Sequence, residues 1–248
     1  MSAGPVVLTA AHGSFPGLAD TLRALPVEVI EIPLLTFAPP LDWGDVDRAL
    51  RGLARYEAVT FTSPRAAAAF VERAGPSARR LPPVWAGGRG TAAALAGLAD
   101  GVRAAPEDEV GRLGAAAALA AAMLDAGVRG RVLFPCGEVR RDELPTRLRQ
   151  EGIEVDEVVC YRSVVAGETT AREAVRSGGI LVVASPMVAE LLARVSAPTP
   201  RPPLLAVGPT TAAAARAAGW TPTAVAARPD VEALVMEVRS LLGAQMAR

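Results

Sequence analysis

The chain has 248 residues, of which 51% are apolar, and its 26 arginines balance 26 acidic residues in the complete absence of lysine. This length accommodates one large or two small domains. Zero net charge gives no general attraction to nucleic acid or to an anionic membrane, and the absence of lysine excludes Schiff-base chemistry.

The residues that usually hold metals or disulfides are scarce. Two cysteines and one histidine, His12, resemble neither a disulfide framework nor a metal site. The first eight residues lack the basic and apolar regions of a signal peptide, and the alanine run 115–122 is too short to span a bilayer. We therefore expect a cytoplasmic protein with no cofactor, no metal, and no membrane or nucleic-acid partner.

Short apolar runs alternate with segments of helical period along the whole chain. Strict alternation of strands and helices predicts parallel sheets covered by helices on both faces. The predicted strands are 5–10, 27–35, 56–62, 83–86, 101–105, 130–135, 153–164, 180–184, 204–207 and 223–226. The predicted helices are 14–25, 46–53, 65–74, 91–98, 113–126, 142–150, 170–176, 187–194, 211–218 and 231–242.

An internal repeat divides the chain. Three segments match later ones at offsets of 120 to 122: 60–64 with 182–186, 88–95 with 208–215, and 104–108 with 226–230. Segments 43–128 and 166–248 are therefore two versions of one unit. The later copy is shorter, and the N-terminus supplies what it lacks, because 4–9 matches 130–135 and 27–31 matches 153–157 at an offset of 126.

These matches predict two similar doubly wound, flavodoxin-like parallel-sheet domains, one of them discontinuous. Residues 1–36 and 164–248 form the first domain, and residues 39–161 form the second. The extended segments 34–40 and 160–164 are expected to pair as a two-stranded β ladder joining the domains, which leaves an interdomain cleft and permits hinge motion.

Four matched motifs lie where a strand end leads into a helix, which is where doubly wound sheets bind ligands. They are Thr62-Ser63-Pro64, Gly88 to Thr91, Ser185-Pro186, and Gly208 to Thr211. Serine followed by proline is also an ordinary helix start. Recurrence at corresponding places in both halves favours binding, and helix N-termini suit a large ligand with many carboxylates.

Three further features leave alternatives open. Tyr161 is either a strand aromatic packed in the linker or a phenol that faces the cleft as a general acid. Arg140 either binds a carboxylate or is solvated. Gly88 to Ala93 fits a dinucleotide-binding fingerprint, but a predicted strand intervenes before Glu107 and the matched segment at Gly208 lacks the second glycine.

The chain resembles the uroporphyrinogen-III synthase family. The resemblance covers nearly the whole chain in order, on segments 61–67, 87–95, 160–164 and 207–212 and on the final helix. It implies two α/β domains joined by a ladder, and a monomeric, cofactor-free, cyclising hydro-lyase of tetrapyrrole and heme biosynthesis. Hydroxymethylbilane would lose water to give an azafulvene, form a spiro intermediate and close with its last pyrrole ring inverted.

Carried over motif by motif, the resemblance implies that Tyr161 assists loss of hydroxide. The residues that would bind substrate carboxylates, partly through backbone N–H groups, are Thr62, Ser63, Gly88, Thr91, Ser185, Pro186, Met187, Gly208, Thr210 and Thr211. The chain departs from the family pattern after the first strand, at Thr9-Ala-Ala11. Two alternatives remain at this stage: a catalytically silent relative that senses a ligand, and a two-domain nucleotide-sugar glycosyltransferase.

Overall fold

The computed structural model describes residues 4–97, 101–106, 108–110, 114–196 and 201–246. It divides into two compact units, unit 1 comprising Met1–Phe37 with Val164–Arg248 and unit 2 comprising Ala38–Ser163. Both units are α/β with parallel sheets, so the predicted fold class is confirmed. The cleft between domains stays a prediction.

Strands and helices alternate in the described residues, as the sequence predicts. The strands are β1 (Val6–Leu8), β2 (Val29–Glu31), β3 (Leu35–Ala38), β4 (Ala58–Phe61), β5 (Val84–Ala86), β6 (Arg103–Ala104), β7 (Val132–Gly137), β8 (Val155–Val165), β9 (Ile180–Val183), β10 (Leu204–Ala206) and β11 (Ala224–Val225). The α-helices are α1 (Leu18–Arg23), α2 (Gly44–Arg51), α3 (Pro64–Ala74), α4 (Arg89–Ala94), α5 (Ala115–Asp125), α6 (Glu143–Gln150), α7 (Glu168–Arg176), α8 (Pro186–Val195), α9 (Pro209–Ala217) and α10 (Val231–Met246). Short 3₁₀ turns lie at Leu53–Arg55 and Gly75–Arg80.

The sheet of unit 1 has the strand order β11-β10-β9-β1-β2, with parallel pairing throughout. The other sheet has the order β3-β8-β7-β4-β5-β6, parallel from β8 to β6. Its edge strand β3 lies beside β8, so the two extended segments expected to form the ladder are neighbours in the sheet. The Ala166 N–H donates to the Leu34 carbonyl at 3.0 Å.

The internal repeat reappears residue by residue in the strand register. Under the sequence offsets, the pair Val6↔Val29 becomes Val132↔Val155, and both pairs are observed. The pair Val59↔Val84 likewise becomes Leu181↔Leu204. A one-residue slip would exchange the two faces of a strand, so matching registers mean matching cores.

The central strands are buried on both faces because helices cover both sides of each sheet. In unit 1 the alternating residues of a strand enter two cores, with Val7 and Leu181 in one and Val6 and Ile180 in the other. Unit 2 repeats this arrangement with two cores of its own. The rigid sheets thereby place the ends of their strands at fixed positions.

Some predicted elements have different limits. The strand predicted at 27–35 is split into β2 and β3 around Pro33, which has no N–H to donate to the sheet. The first predicted helix begins at Leu18 instead of residue 14, after Gly17 in the left-handed region with φ 81°. The predicted C-terminal end of α4 at residue 98 and the predicted N-terminal end of α5 at residue 113 lie outside the described residues.

Candidate functional site

The carboxyl ends of β4 and β7 meet at one edge of the unit 2 sheet, where they open onto a cavity of about 320 Å³. Because parallel strands end together, polar residues far apart in sequence converge there. The cavity is lined, among others, by Thr62, Ser63, Gly137, Arg140, Arg141 and Tyr161. Four predicted site residues, Thr62, Ser63, Arg140 and Tyr161, are therefore brought together, whereas Gly88 and Thr91 do not line this cavity.

Ser63 has the structural role weighed from sequence, and ligand binding at this residue stays a prediction. It is the N-cap of α3, where its Oγ accepts a hydrogen bond from the Ala66 N–H at 3.3 Å, and Pro64 occupies the first helical position. The same Oγ lies 3.4 Å from the Tyr161 hydroxyl. A plain helix start thus also holds a hydroxyl against the predicted acid.

Tyr161 lies on β8 just beyond an irregularity in the ladder. Cys136 pairs with Val159, but the next residue, Gly137, pairs with Tyr161, so Cys160 is an extra residue on β8. The Glu138 N–H donates to the Tyr161 carbonyl at 2.9 Å, which resumes the pairing after the bulge. Bulges redirect side chains in this way beside functional sites.

Arg140 is already paired within the protein. Its guanidinium hydrogen-bonds the carboxylate of Glu157, whose side chain is only 16% exposed and also accepts from Arg149 Nη2 at 2.8 Å. Across the described part of the chain, Arg141 forms no ion pair although it lines the same cavity. No signal in the sequence indicates the Arg140–Glu157 pair, because the two residues are 17 positions apart and meet only through the pairing of β7 with β8.

The two thiols near this edge are unreactive. Burial raises the pKa of Cys136 to about 12 and the pKa of Cys160 to about 12. Both are therefore neutral at physiological pH, and a neutral thiol is a poor nucleophile. Cys136 and Cys160 pack as small apolar side chains in the cores of unit 2.

In unit 1, two helix starts lie at the ends of the neighbouring strands β9 and β10. Ser185 is the N-cap of α8, but its side chain makes no cap hydrogen bond, and Pro186 follows it. Met187 is 37% exposed and Thr210 is exposed. His12 lies in the loop after β1, beside a small cavity of about 60 Å³, with Nδ1 3.9 Å from Glu31 Oε2.

Gly88 and Gly208 precede α4 and α9 at corresponding places. Their φ values of 164° and −166° are extended conformations open to any residue, and a Cβ at either glycine would meet no protein atom within 4 Å. Neither backbone nor packing demands glycine there. Thr91 and Thr211 are each only 4% exposed.

Within the described residues, no group of three or more His, Cys, Asp or Glu could hold a metal ion. None of the described helices combines the length and apolar character needed to cross a membrane.

Comparisons with known proteins bear on the family and the fold of the chain. A family model described as uroporphyrinogen-III synthase HemD matches residues 17–236. The solved uroporphyrinogen-III synthetase of Helicobacter pylori has 18% identity and a TM-score of 0.65, covering 96% of this chain and 99% of its own. A mutant uroporphyrinogen III synthase of Thermus thermophilus has 17% identity and a TM-score of 0.59, covering 98% and 100%. At these identities the likeness shows the fold alone. None of the curated proteins compared with the chain matches it.

Proposed function

We propose that Tyr161 acts as the general acid in the closure of hydroxymethylbilane, since this chain belongs to the uroporphyrinogen-III synthase family. The family acts on this linear tetrapyrrole, so the function predicted from the ordered motifs is confirmed. The family match favours neither a silent ligand sensor nor a glycosyltransferase. The roles of individual residues, set out below, are our proposal.

The reaction begins at the terminal hydroxymethyl group. Its C–O bond breaks, and the oxygen takes a proton and leaves as water. The pyrrole ring that carried the hydroxymethyl group becomes an azafulvene. The substituted carbon of the last ring attacks the azafulvene to form a spiro intermediate, which fragments and recloses with that ring inverted and a proton released. Loss of water makes the enzyme a hydro-lyase, and all electrons stay within the pyrrole system, so no cofactor is required.

The contact between Ser63 and Tyr161 carries the proposal. The Ser63 Oγ accepts from the Ala66 N–H, so its own proton is available for the phenol oxygen 3.4 Å away. In the proposed step the phenol donates its proton to the departing hydroxyl. As negative charge develops on the phenol oxygen, the Ser63 hydroxyl stabilises it.

The substrate's eight carboxylates require several weak anion sites. Each helix start contributes about 0.3–1 kcal/mol to a nearby anion, so several must act together. The proposed ligands are Thr62, Ser63, Gly88, Thr91, Arg140, Ser185, Pro186, Met187, Gly208, Thr210 and Thr211. To these we add Arg141, since it lines the cavity and Glu157 engages Arg140 instead. Fixing a folded substrate in this way favours the inverted closure over the uncatalysed one.

We also propose that the enzyme works as a monomer in the cytoplasm, without a membrane or nucleic-acid partner. Zero formal net charge is the observation that supports the last point. Sedimentation of the purified chain across a hundredfold concentration range tests the monomer, and a concentration-dependent mass would contradict it.

The test of Tyr161 uses the chain's only other tyrosine as a matched control. Incubation with hydroxymethylbilane, followed by separation of the III and I isomers, measures turnover. Tyr161→Phe is expected to lower formation of isomer III by about 10²-fold, the usual contribution of a general acid. Tyr56→Phe should keep turnover, because the Tyr56 hydroxyl is bonded to Arg55 and Asp156 and its side chain is buried.

Two results would contradict the proposal. Unchanged turnover in Tyr161→Phe would remove the acid role. An unsubstituted chain that yields only the spontaneous isomer I would show that the residues proposed here carry out no catalysis.

A further inference from the structure

We infer that Gly137 is a positioning residue for Tyr161: the missing side chain at Gly137 provides the space in which the phenol lies and fixes its distance from Ser63. This inference rests on the proposed acid role of Tyr161. It assigns a function to a residue that the sequence motifs did not single out.

The space is defined by close contacts. A Cβ atom at Gly137 would lie 2.6 Å from Tyr161 Cζ, 2.8 Å from its hydroxyl oxygen and 3.0 Å from Cε1. Favourable contacts between carbon atoms lie at about 3.5–4.0 Å, so even a methyl group is excluded. The atoms in conflict include the phenolic oxygen itself. A rigid ring cannot bend away, so the whole phenol would have to move.

The backbone gives no other reason for glycine at this position. Gly137 is absent from the glycines with positive φ among the described residues, so its conformation is one that other residues can adopt. It also lies at the end of β7, and glycine is unfavourable in a strand. The nearest atoms to a Cβ at this position all belong to Tyr161, which makes the phenol the reason for the glycine.

The β-bulge holds the phenol against this space. Cys160 is the extra residue on β8, and its side chain is fully buried in the same core as Val158. Beyond it, Tyr161 pairs with Gly137, and its carbonyl accepts from the Glu138 N–H. The backbone of Tyr161 is therefore fixed on both sides of the bulge, so a ring displaced from Gly137 cannot return to Ser63 by a shift of the strand.

The other half of the chain provides an internal comparison. In the N-terminal copy of the repeat, 126 residues earlier, Ala11 corresponds to Gly137 and Leu35 corresponds to Tyr161. Ala11 is buried, at 7% exposure. The copy that has no phenol thus has a side chain where the copy with the phenol has none.

The experiment is a double-substitution cycle on the full chain. Gly137→Ala is expected to lower turnover to isomer III by at least tenfold. The same change made in Tyr161→Phe should cost less than a further twofold, because the acid is already gone. Gly243→Ala is the control, since a Cβ at Gly243 would meet no protein atom within 4 Å, and its turnover should be unchanged.

A spectroscopic measurement separates positioning from a general loss of structure. The chain has two tyrosines, so ¹³C-labelled tyrosine gives two sets of ring signals, which Tyr56→Phe assigns. Gly137→Ala should shift the ring signals of Tyr161 and leave those of Tyr56 in place. Should Gly137→Ala fail to fold, Gly137→Ala with Tyr161→Leu should restore folding, because the distal ring atoms are removed.

The outcomes distinguish this inference from the proposal on which it rests. Full turnover in Tyr161→Phe alone overturns the acid role and with it the inference. If Tyr161→Phe is impaired but Gly137→Ala keeps normal turnover and unshifted Tyr161 signals, only the inference is overturned. Fully additive losses, or no recovery of folding with leucine at position 161, also overturn it, since Gly137 would then act through something other than the phenol.

Discussion

The two halves of this chain share a scaffold and differ in the chemistry placed at its edge. Their strands pair in the same register, yet the residues after the matching strands diverge. At the offset of 126, unit 2 has Gly137, Arg140, Arg141 and Tyr161 where unit 1 has Ala11, Ser14, Phe15 and Leu35. Buried strands fix each other's register, whereas residues near and beyond the carboxyl ends of the strands are freer to change.

What the halves retain in common is the helix starts. Ser63-Pro64 corresponds to Ser185-Pro186, and Gly88 to Gly208. These are the features proposed to bind carboxylates, and they occur twice. The proposed general acid, Tyr161, and the neighbouring Arg140 and Arg141 have no counterpart at the matching positions of unit 1, so we expect substrate binding to depend on both halves and the chemical step on one.

The sharpest test of this asymmetry compares the two serines. Ser63→Ala removes both the α3 cap and the hydroxyl beside Tyr161, so turnover should fall about tenfold, as expected for a hydrogen bond worth about 1.5 kcal/mol to a developing charge. The free energy of unfolding should fall by about 1 kcal/mol with the cap. Ser185→Ala should cost only a few tenths of a kcal/mol, since Ser185 makes no cap bond. Urea unfolding measures the free energy of unfolding, and the isomer assay measures turnover. Equal losses of turnover and stability from the two serine substitutions would contradict the asymmetry.

Substitution of the two arginines that line the cavity should have a smaller effect on activity. Arg141→Gln should raise KM about fivefold with little change in kcat, because a charge-assisted contact to substrate is lost in both ground and transition states. Arg140→Gln should raise KM less and mainly lower the free energy of unfolding, because it leaves the largely buried Glu157 carboxylate with Arg149 alone. Steady-state kinetics and urea unfolding separate the two, and a larger KM effect from Arg140→Gln would reverse the assignment.

Substitution of the two cysteines should have the smallest effect, because it changes the pH dependence of stability and not turnover at neutral pH. The pKa of each is about 12 in the folded chain and about 9 when unfolded, so the unfolded state loses its protons first. Their contribution to stability is complete below pH 9 and is lost as the pH rises towards 12, by up to about 1.4 kcal/mol per pH unit for each thiol. Replacing both cysteines with alanine should flatten the fall in unfolding free energy above pH 9. An unchanged slope, or rapid alkylation of the native thiols at pH 8, would contradict their burial.

The features that sequence reasoning missed share a cause. Pro33 is visible in the sequence, but its effect on the strand predicted at 27–35 depends on which carbonyl its missing N–H would have faced. Gly137 belongs to no motif, because its partner lies 24 residues later across a bulge. Arg140 fits a carboxylate ligand or a solvated side chain equally well until Glu157 is placed beside it. Each of these depends on a residue in another segment.

The sequence by itself determined the alternation of strands and helices, the offsets of the repeat and the family. These follow from local apolar patterns and helix-start residues, which act within a few positions of the chain. Only the tertiary structure decided that Tyr161 lies against Gly137 and beside Ser63, and that Glu157 engages Arg140. Such contacts depend on bulges and side-chain packing between segments up to 98 residues apart, and no local pattern encodes them.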